Sequence, residues 1–252
     1  MLVVSAELGA EEMPNELREL ETLTSVTSSA EMSGGDAGNL RIEAIRETAQ
    51  TLGMQSAVRW RYDQINESLE KDASHLDRLY DFHGLMMHEG RFLPPVITVA
   101  HGTETLNHDQ ESTASDTTYE IVEDARIVIS PPSWRDYLPQ HFDVNNDVNP
   151  MIRPKDVSEE LVWKEGVRLG WQDGLRHADA LFEINMNRLT RDFRGLIRFH
   201  LLAKQHVVDV PQFAVGDLGV TVNGRLLDVN QRIFQITEPV KFNGAEKWTM
   251  QP

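Results

Sequence analysis

Carboxylates are the side chains of this sequence whose types and spacing come nearest to those of an enzyme. Asp77, Asp81 and Glu89 lie close together along the chain. Two carboxylates with different pKa values can serve as general acid and general base in hydrolysis. A soluble periplasmic or cytosolic hydrolase that uses a carboxylate pair is therefore one hypothesis for the function. The chain carries 40 Asp and Glu residues, however, so clusters of this kind also arise by chance.

Other kinds of catalytic or metal site have no support in the sequence. The 252 residues include no cysteine, which excludes thiolate chemistry and disulfides. Nine histidines are present, but His83 and His88 are five residues apart, a spacing that does not bring two side chains together on a helix. The sequence contains no phosphate-binding loop, no GxSxG motif and no HExxH motif. We expect no cofactor, no metal and no catalytic residue.

One loop resembles a calcium-binding loop only at its start. Asp143, Asn145 and Asp147 occupy the first, third and fifth positions of an EF-hand. The sixth position needs glycine and here is Val148, and the twelfth needs glutamate and here is Pro154. We interpret the segment as an Asn- and Asp-rich turn.

The segment PPSWRDYL concentrates residue types that dominate protein–protein hot spots. Two prolines fix the backbone, and a tryptophan, an arginine and a tyrosine follow. The same residues also fit an internal corner, with Trp134 in the core and Arg135 facing outward. The sequence leaves an interface and a structural corner as alternatives. The candidate residues are Pro131, Pro132, Trp134, Arg135, Asp136 and Tyr137.

Small residues recur every four positions in the longest helical segment. Each glycine inside a helix costs about 1 kcal/mol relative to alanine, which is tolerable where another backbone packs closely. Charged neighbours such as Lys164 and Glu165 exclude a bilayer. We expect packing against a helix near residues 40–52 or 74–88, with an intermolecular contact as the alternative. The stripe consists of Gly166, Gly170, Gly174 and Ala178.

The hydrophobic pattern predicts an α+β fold, in which helices pack with a small antiparallel sheet or hairpins. Apolar residues at helical spacing predict helices over residues 40–52, 57–70 and 74–88, with Gly53 as a stop or an interruption.

A longer helical stretch begins at Asp156, with Glu159 as its capping-box partner, and continues to about His206. Such a rod would be about 75 Å long, which exceeds a compact domain of this size. We therefore expect two helices, broken or bent near residues 185–187 or Gly195, or else one protruding rod.

The remaining segments are predicted to be loops and strands. Residues 102–118 read as a polar loop, and alternating apolar residues predict a strand over residues 119–130. The Asn-Gly pair at 223–224 predicts a two-residue hairpin turn that places Val220 opposite Leu227. A third strand follows this hairpin.

Charge separates the first residues from the rest of the chain. The net charge of −16 argues against binding to nucleic acid or to anionic lipid, and no apolar run reaches the roughly 18 residues that span a bilayer. Residues 1–39 carry eight acidic residues and one basic residue and are rich in Ser and Gly. We expect residues 1–39 to be a disordered acidic leader, with at most a short transient helix over residues 14–23, and residues 40–252 to be a single α+β domain.

Six segments in a fixed order make the sequence recognisable, and PPSWRDYL and the GWxxG block are the most specific. They are LRIEAIRETAQTLGMQ, LDRLYDF with LPPV, ARIVISPPSWRDYL, GWQDGLRHADALF, LTRDFRGLIRFHLL and DLGVTVNG. Together they span about residues 40–240. This arrangement resembles the DotC family, called TraI in IncI-type conjugative plasmids, of type IVB secretion systems.

The resemblance implies a structural, non-enzymatic role. Members of the family are lipoproteins on the periplasmic face of the outer membrane. With a DotD-like lipoprotein and a DotH-like protein, they form a ring-shaped core complex, and they help to bring the DotH-like protein to the outer membrane. The family is anchored by a lipid on an N-terminal cysteine after a signal peptide, and this sequence has neither. We expect it to start downstream of that cysteine, with the acidic leader as a tether.

Overall fold

The computed structural model of the chain describes residues 14–23, 36–108, 111–145 and 147–249. The chain divides into two compact units. The first unit comprises Met1–Asp72 and Pro139–Ile184, and the second comprises Ala73–Leu138 and Asn185–Pro252. Helices occur together with antiparallel two-stranded sheets, which confirms the α+β class. The single domain expected over residues 40–252 stays a prediction.

The α-helices of the described residues differ greatly in length. They are α1 (Asn15–Glu21), α2 (Asp36–Lys71), α3 (Ala73–Leu79) and α4 (Val157–Lys204).

Helix α2 runs without a break through Gly53, so the predicted interruption is wrong. Ile45, Ala49, Leu52 and Ala57 all lie in the core of the first unit, which keeps one side of the helix buried on both sides of the glycine. Burial of this side outweighs the cost of one glycine in a helix interior.

Helix α4 is also continuous, over 48 residues, so the prediction of two helices is wrong. Its predicted start is confirmed, because the Glu159 amide donates to the Asp156 carboxylate at 2.9 Å. Asparagines near residue 185 are poor helix formers, but each costs less than about 1 kcal/mol, and Leu189 and Leu196 are fully buried beyond them. The division between the two units falls within this helix, after Ile184.

The described part of the leader differs from the expected disorder. Within residues 14–23, α1 packs on the first unit, and Leu20 is only 3% exposed. The Trp163 indole donates to the Leu20 carbonyl at 2.9 Å, and Arg168 pairs with Glu21 at 2.6 Å. Two buried leucines and these contacts offset the chain entropy that the polar composition alone leaves unopposed. Residues 36–39 form the start of α2, and the rest of the leader lies outside the described residues.

The second unit contains the strands, which pair in three antiparallel sheets in the described chain. The strands are β1 (Phe92–Leu93), β2 (Val96–His108), β3 (Glu111–Glu123), β4 (Arg126–Ile127), β5 (Gln212–Asn223) and β6 (Leu226–Glu238). Strand β1 pairs with β4, β2 with β3, and β5 with β6.

The polar loop predicted over residues 102–118 is wrong, because most of it belongs to the β2–β3 hairpin. The segment contains five threonines, whose branched side chains favour extended backbone although they are polar. The strand predicted over residues 119–130 is correspondingly displaced, since β3 ends at Glu123 and only two residues of β4 follow.

The β5–β6 hairpin is present with a register that differs by two residues from the prediction. Asn223 pairs with Leu226, so Gly224 and Arg225 form the turn, and Gly224 takes a φ of +59°. Val220 therefore pairs with Val229 instead of Leu227. The third strand predicted after this hairpin is the continuation of β6.

The helix predicted over residues 74–88 is shorter, because α3 ends at Leu79. The Asp81 carboxylate accepts the His83 amide at 2.9 Å, a local bond that competes with helical pairing. A short 3-10 helix (His83–Leu85) follows.

Candidate functional site

The PPSWRDYL segment forms a tightly capped corner in the second unit. A 3-10 helix covers Trp134–Asp136, and Ser133 is its N-cap. The Ser133 amide donates to the Asp136 carboxylate at 2.7 Å, and the Ser133 hydroxyl accepts the Arg135 amide at 3.3 Å. This reciprocal capping box satisfies backbone donors that a short helix would otherwise leave unpaired.

Trp134 lies in the core and anchors the corner. Its side chain is 1% exposed, and its indole N–H donates to the Asp77 carboxylate at 2.7 Å. A buried tryptophan needs such an acceptor, because an unpaired indole N–H would lose its hydrogen bond to water. Asp77 of α3 thus fixes the position of the ring.

Arg135 lies at the surface beside Trp134. Its guanidinium donates to Asp77 at 2.5 Å and stacks over the Trp134 ring, 4.3 Å from the centroid. The hydrogen bonds from Arg135 and then Trp134 hold the pKa of the Asp77 carboxyl below its usual range. The Arg135 side chain remains 44% exposed, so the corner presents an oriented cation to solvent.

Tyr137 joins the corner to α4 through a buried carboxylate. Its hydroxyl donates to Asp192 at 3.1 Å, and Asp192 is 2% exposed. Arg191 pairs with the same carboxylate at 2.7 Å, which compensates the buried charge. Burial, followed by the nearby negative charge of Asp192, raises the pKa of Tyr137. Phe82 stacks on the Tyr137 ring at 6.1 Å, so the tyrosine is held on both its polar and its apolar sides.

The three carboxylates of the hydrolase hypothesis have separate surroundings. Asp77 is engaged by Trp134 and Arg135, Asp81 accepts the His83 amide, and Glu89 is exposed in the turn before β1. A general acid needs a raised pKa, whereas the pKa of Asp77 is lowered. This carboxylate is therefore poorly suited to proton donation.

The Asn- and Asp-rich loop is organised by its own hydrogen bonds. The Asn145 side chain accepts the Asp147 amide at 2.9 Å, and the Asn149 side chain accepts the Met151 amide at 3.0 Å. These bonds are typical of Asx turns. Among the described residues, no group of three or more His, Asp or Glu side chains could hold a metal ion.

The small-residue stripe of α4 faces the backbone of α2 in the first unit. A Cβ atom at Gly170 would overlap the Gln50 carbonyl oxygen, and one at Gly166 would lie 2.8 Å from the Ala49 Cβ. At Gly174, a Cβ would overlap the Met54 carbonyl oxygen.

Gly53 is the complementary residue on α2, and the sequence interpretation missed it. A Cβ on Gly53 would overlap the Val167 carbonyl oxygen. The available signal was a matching stripe in the other helix, since Ala49, Gly53 and Ala57 also recur every four residues. Ala178, at the end of the α4 stripe, is fully buried against residues of α2.

A comparison of the sequence with known protein families identifies the family to which this chain belongs. A family model described as type IV secretory system, conjugal DNA-protein transfer, matches residues 39–250. The chain belongs to this TraI family of type IV secretory systems. Both the corner and the glycine stripe lie inside the matched region. A comparison with curated proteins found no match.

The chain is therefore a component of a type IV secretion and conjugation system. Within the described part of the chain, no helix combines the length and the apolar character that crossing a membrane requires.

Proposed function

We propose that this TraI-family protein is a structural scaffold of a type IVB outer-membrane core complex. In this role it assembles with DotD-like and DotH-like proteins in a ring on the periplasmic face of the outer membrane, anchored by an N-terminal lipid. The observation that carries the proposal is the family match over residues 39–250, which includes both specific motif blocks.

The construction of the corner supports a role in partner docking. Trp134 is fixed by burial, and the Arg135 guanidinium is held against it. Side chains that are oriented before binding lose less conformational entropy on association. Arginine is also among the residues that most often dominate binding energy.

The β5–β6 hairpin gives independent support for contacts with other proteins. Val220, Leu227, Val229 and Ile233 are all at least half exposed along this two-stranded sheet. An isolated hairpin is marginally stable in water, and clustered apolar residues on its surface favour an assembly in which they are covered.

Co-purification tests the proposal. The tagged protein is co-expressed with the DotD-like and DotH-like proteins of the same system and isolated by its tag, and we expect both partners to be retained. Arg135→Ala should weaken retention about tenfold or more, because losing an arginine hot spot commonly costs 1–2 kcal/mol or more of binding.

Arg78→Ala is the matched control, since Arg78 is an exposed arginine of α3 in the same unit. It should leave retention unchanged. Purification of the tagged protein without either partner would contradict the scaffold role, and equal retention by the two variants would remove Arg135 from the docking surface.

A further inference from the structure

A cavity of the first unit lies between α1 and α2, apart from the corner. Its volume is about 330 Å³. This is at the lower end of the range for pockets that hold small molecules, so it suits one side chain of a partner and not a folded element. The lining residues are Glu16, Glu19, Leu20, Leu23, Ser56, Arg59, Trp60 and Asp63.

The rim of this cavity is acidic. Glu16 and Glu19 are exposed on α1, and neither carboxylate forms an ion pair with another described residue. Asp63 pairs with Arg59 only at 3.9 Å, with both side chains more than half exposed. Three carboxylates against one guanidinium leave the rim with a negative charge that favours a cation.

Ser56 supplies a second observation, which is independent of the acidic rim. The residue is only 9% exposed, and its buried hydroxyl makes no hydrogen bond in the described structure. A buried polar group without a partner costs about 1–3 kcal/mol. Rotation of the Ser56 side chain about χ1 would let a ligand in the cavity donate a hydrogen bond to this oxygen and remove that cost.

The remaining walls suit the aliphatic part of a basic side chain. Leu20 and Leu23 are apolar, and Trp60 offers an indole ring, which attracts cations through its π face. Lysine and arginine combine an aliphatic stem with a cationic head that donates hydrogen bonds.

We propose that this cavity binds a lysine or arginine side chain of a partner protein. The binding site goes beyond the proposed scaffold role, because it specifies the chemistry of a partner contact on the first unit, whereas the corner lies in the second. The parts of this chain adjoining α1, residues 1–13 and 24–35, contain neither lysine nor arginine. The basic side chain must therefore come from elsewhere than these segments.

A labelled peptide of alternating lysine and glycine is the probe for this site. The control peptide has the same sequence with acetyllysine in place of lysine. The acetylated peptide keeps the aliphatic stem but loses the charge. Affinities are measured by fluorescence anisotropy with the full chain, and the indole N–H resonance of Trp60 reports binding in the cavity. We expect the lysine peptide to bind at least tenfold more tightly and to shift the Trp60 resonance.

Two variants locate the site. The double variant Glu16→Gln with Glu19→Gln should lower the affinity for the lysine peptide about five- to tenfold. Ser56→Ala should lower this affinity about threefold. The matched control is Glu67→Gln with Glu70→Gln, which removes the same charge at the same spacing on an exposed part of α2. This control should change affinity less than twofold.

Three outcomes would overturn the proposal. Equal binding of both peptides would show an apolar contact without charge recognition. Equal weakening by the Glu67 and Glu16 double variants would show binding to the overall negative charge of the protein. Absence of a Trp60 shift at saturating peptide would place binding elsewhere. None of these outcomes bears on co-purification with the DotH-like protein, so the scaffold role is tested separately.

Discussion

At the scale of single residues, the clearest contrast in the corner is between Trp134 and Arg135. They are adjacent in sequence and share the Asp77 carboxylate, but one is buried and the other is 44% exposed. Truncation of each side chain should therefore affect different properties. The core residue governs stability, and the surface residue governs binding.

Trp134→Ala should lower the free energy of unfolding by about 3–5 kcal/mol, because it removes a large buried side chain and leaves a cavity. For a chain of this length that corresponds to a fall in Tm of roughly 10 °C. Arg135→Ala should leave Tm close to that of the parent protein. Differential scanning calorimetry distinguishes the two, and an unchanged Tm for Trp134→Ala would show that the ring is not part of the core.

A second residue contact makes stability depend on pH. Glu159 of α4 accepts two hydrogen bonds from the Arg41 guanidinium, at 2.7 and 3.0 Å, and one from the Lys155 amide. The hydrogen bond from Arg41 is the main reason that the pKa of Glu159 lies below its usual range. Because the folded pKa is lower than the unfolded one, this carboxylate stabilises the fold above about pH 4.3, and the contribution is lost as pH falls through the folded pKa.

Glu159→Gln should thus destabilise the protein by about 1.5–3 kcal/mol at pH 7, the range for hydrogen bonds to charged groups. The difference in the free energy of unfolding between this variant and the parent protein should shrink at pH 3. Urea unfolding at both pH values measures this difference. A difference that stays constant between pH 7 and pH 3 would mean that the ionised carboxylate does not contribute.

At the scale of elements, the contact between α2 and α4 is a close approach of two backbones. Gly53 of α2 and the glycine stripe of α4 remove side chains from the contact. The loss of helix propensity at these glycines is compensated by close packing of main-chain atoms.

Gly170→Ala should destabilise the protein by about 1–3 kcal/mol, although alanine favours helices, because its Cβ would overlap the Gln50 carbonyl oxygen. Gly84→Ala is the control, since a Cβ there meets no atom within 4 Å. Thermal unfolding of both variants is the measurement. If Gly170→Ala were as stable as the control variant, the stripe would not face a packed helix.

The packing of α1 against the core of the first unit is the feature that composition alone did not predict. Leu20→Ala should lower the free energy of unfolding of the protein by about 2–4 kcal/mol. Leu40→Ala makes the same chemical change at an exposed site of α2 and should have little effect. Equal chemical denaturation midpoints for the two variants would show that α1 does not contribute to the core.

These elements show what the sequence could and could not predict. Periodicity identified the helical segments and the Asp156 cap, because both depend on neighbouring residues. It failed at Gly53 and near Asn185, where burial contributed by distant residues outweighs a weak local preference. The β2–β3 hairpin was missed because its threonines are polar by composition but favour strands by shape.

The candidate corner was predictable in part for the same physical reason. Two prolines followed by a capped turn are a local pattern, and PPSWRDYL was recognised as a unit. Its partners Asp77 and Asp192 lie 57 and 55 residues away from Trp134 and Tyr137, respectively. Their side-chain contacts depend on the tertiary fold, and spacing in sequence does not reveal them.

At the scale of the whole molecule, family membership makes the chain a component of a type IV secretion and conjugation system. As the proposed scaffold, the protein would hold other proteins in place at the outer membrane. A scaffold acts through the position of its partners, so its loss should displace a partner without removing an enzymatic product.

Fractionation of the DotH-like protein therefore tests this central claim most directly. Membranes are prepared from cells that contain or lack the gene for this protein, with all other components of the system present. We predict that the DotH-like protein leaves the outer-membrane fraction when the gene is deleted and returns when it is restored. An unchanged amount of the DotH-like protein in the outer-membrane fraction of the deletion strain would contradict the scaffold account.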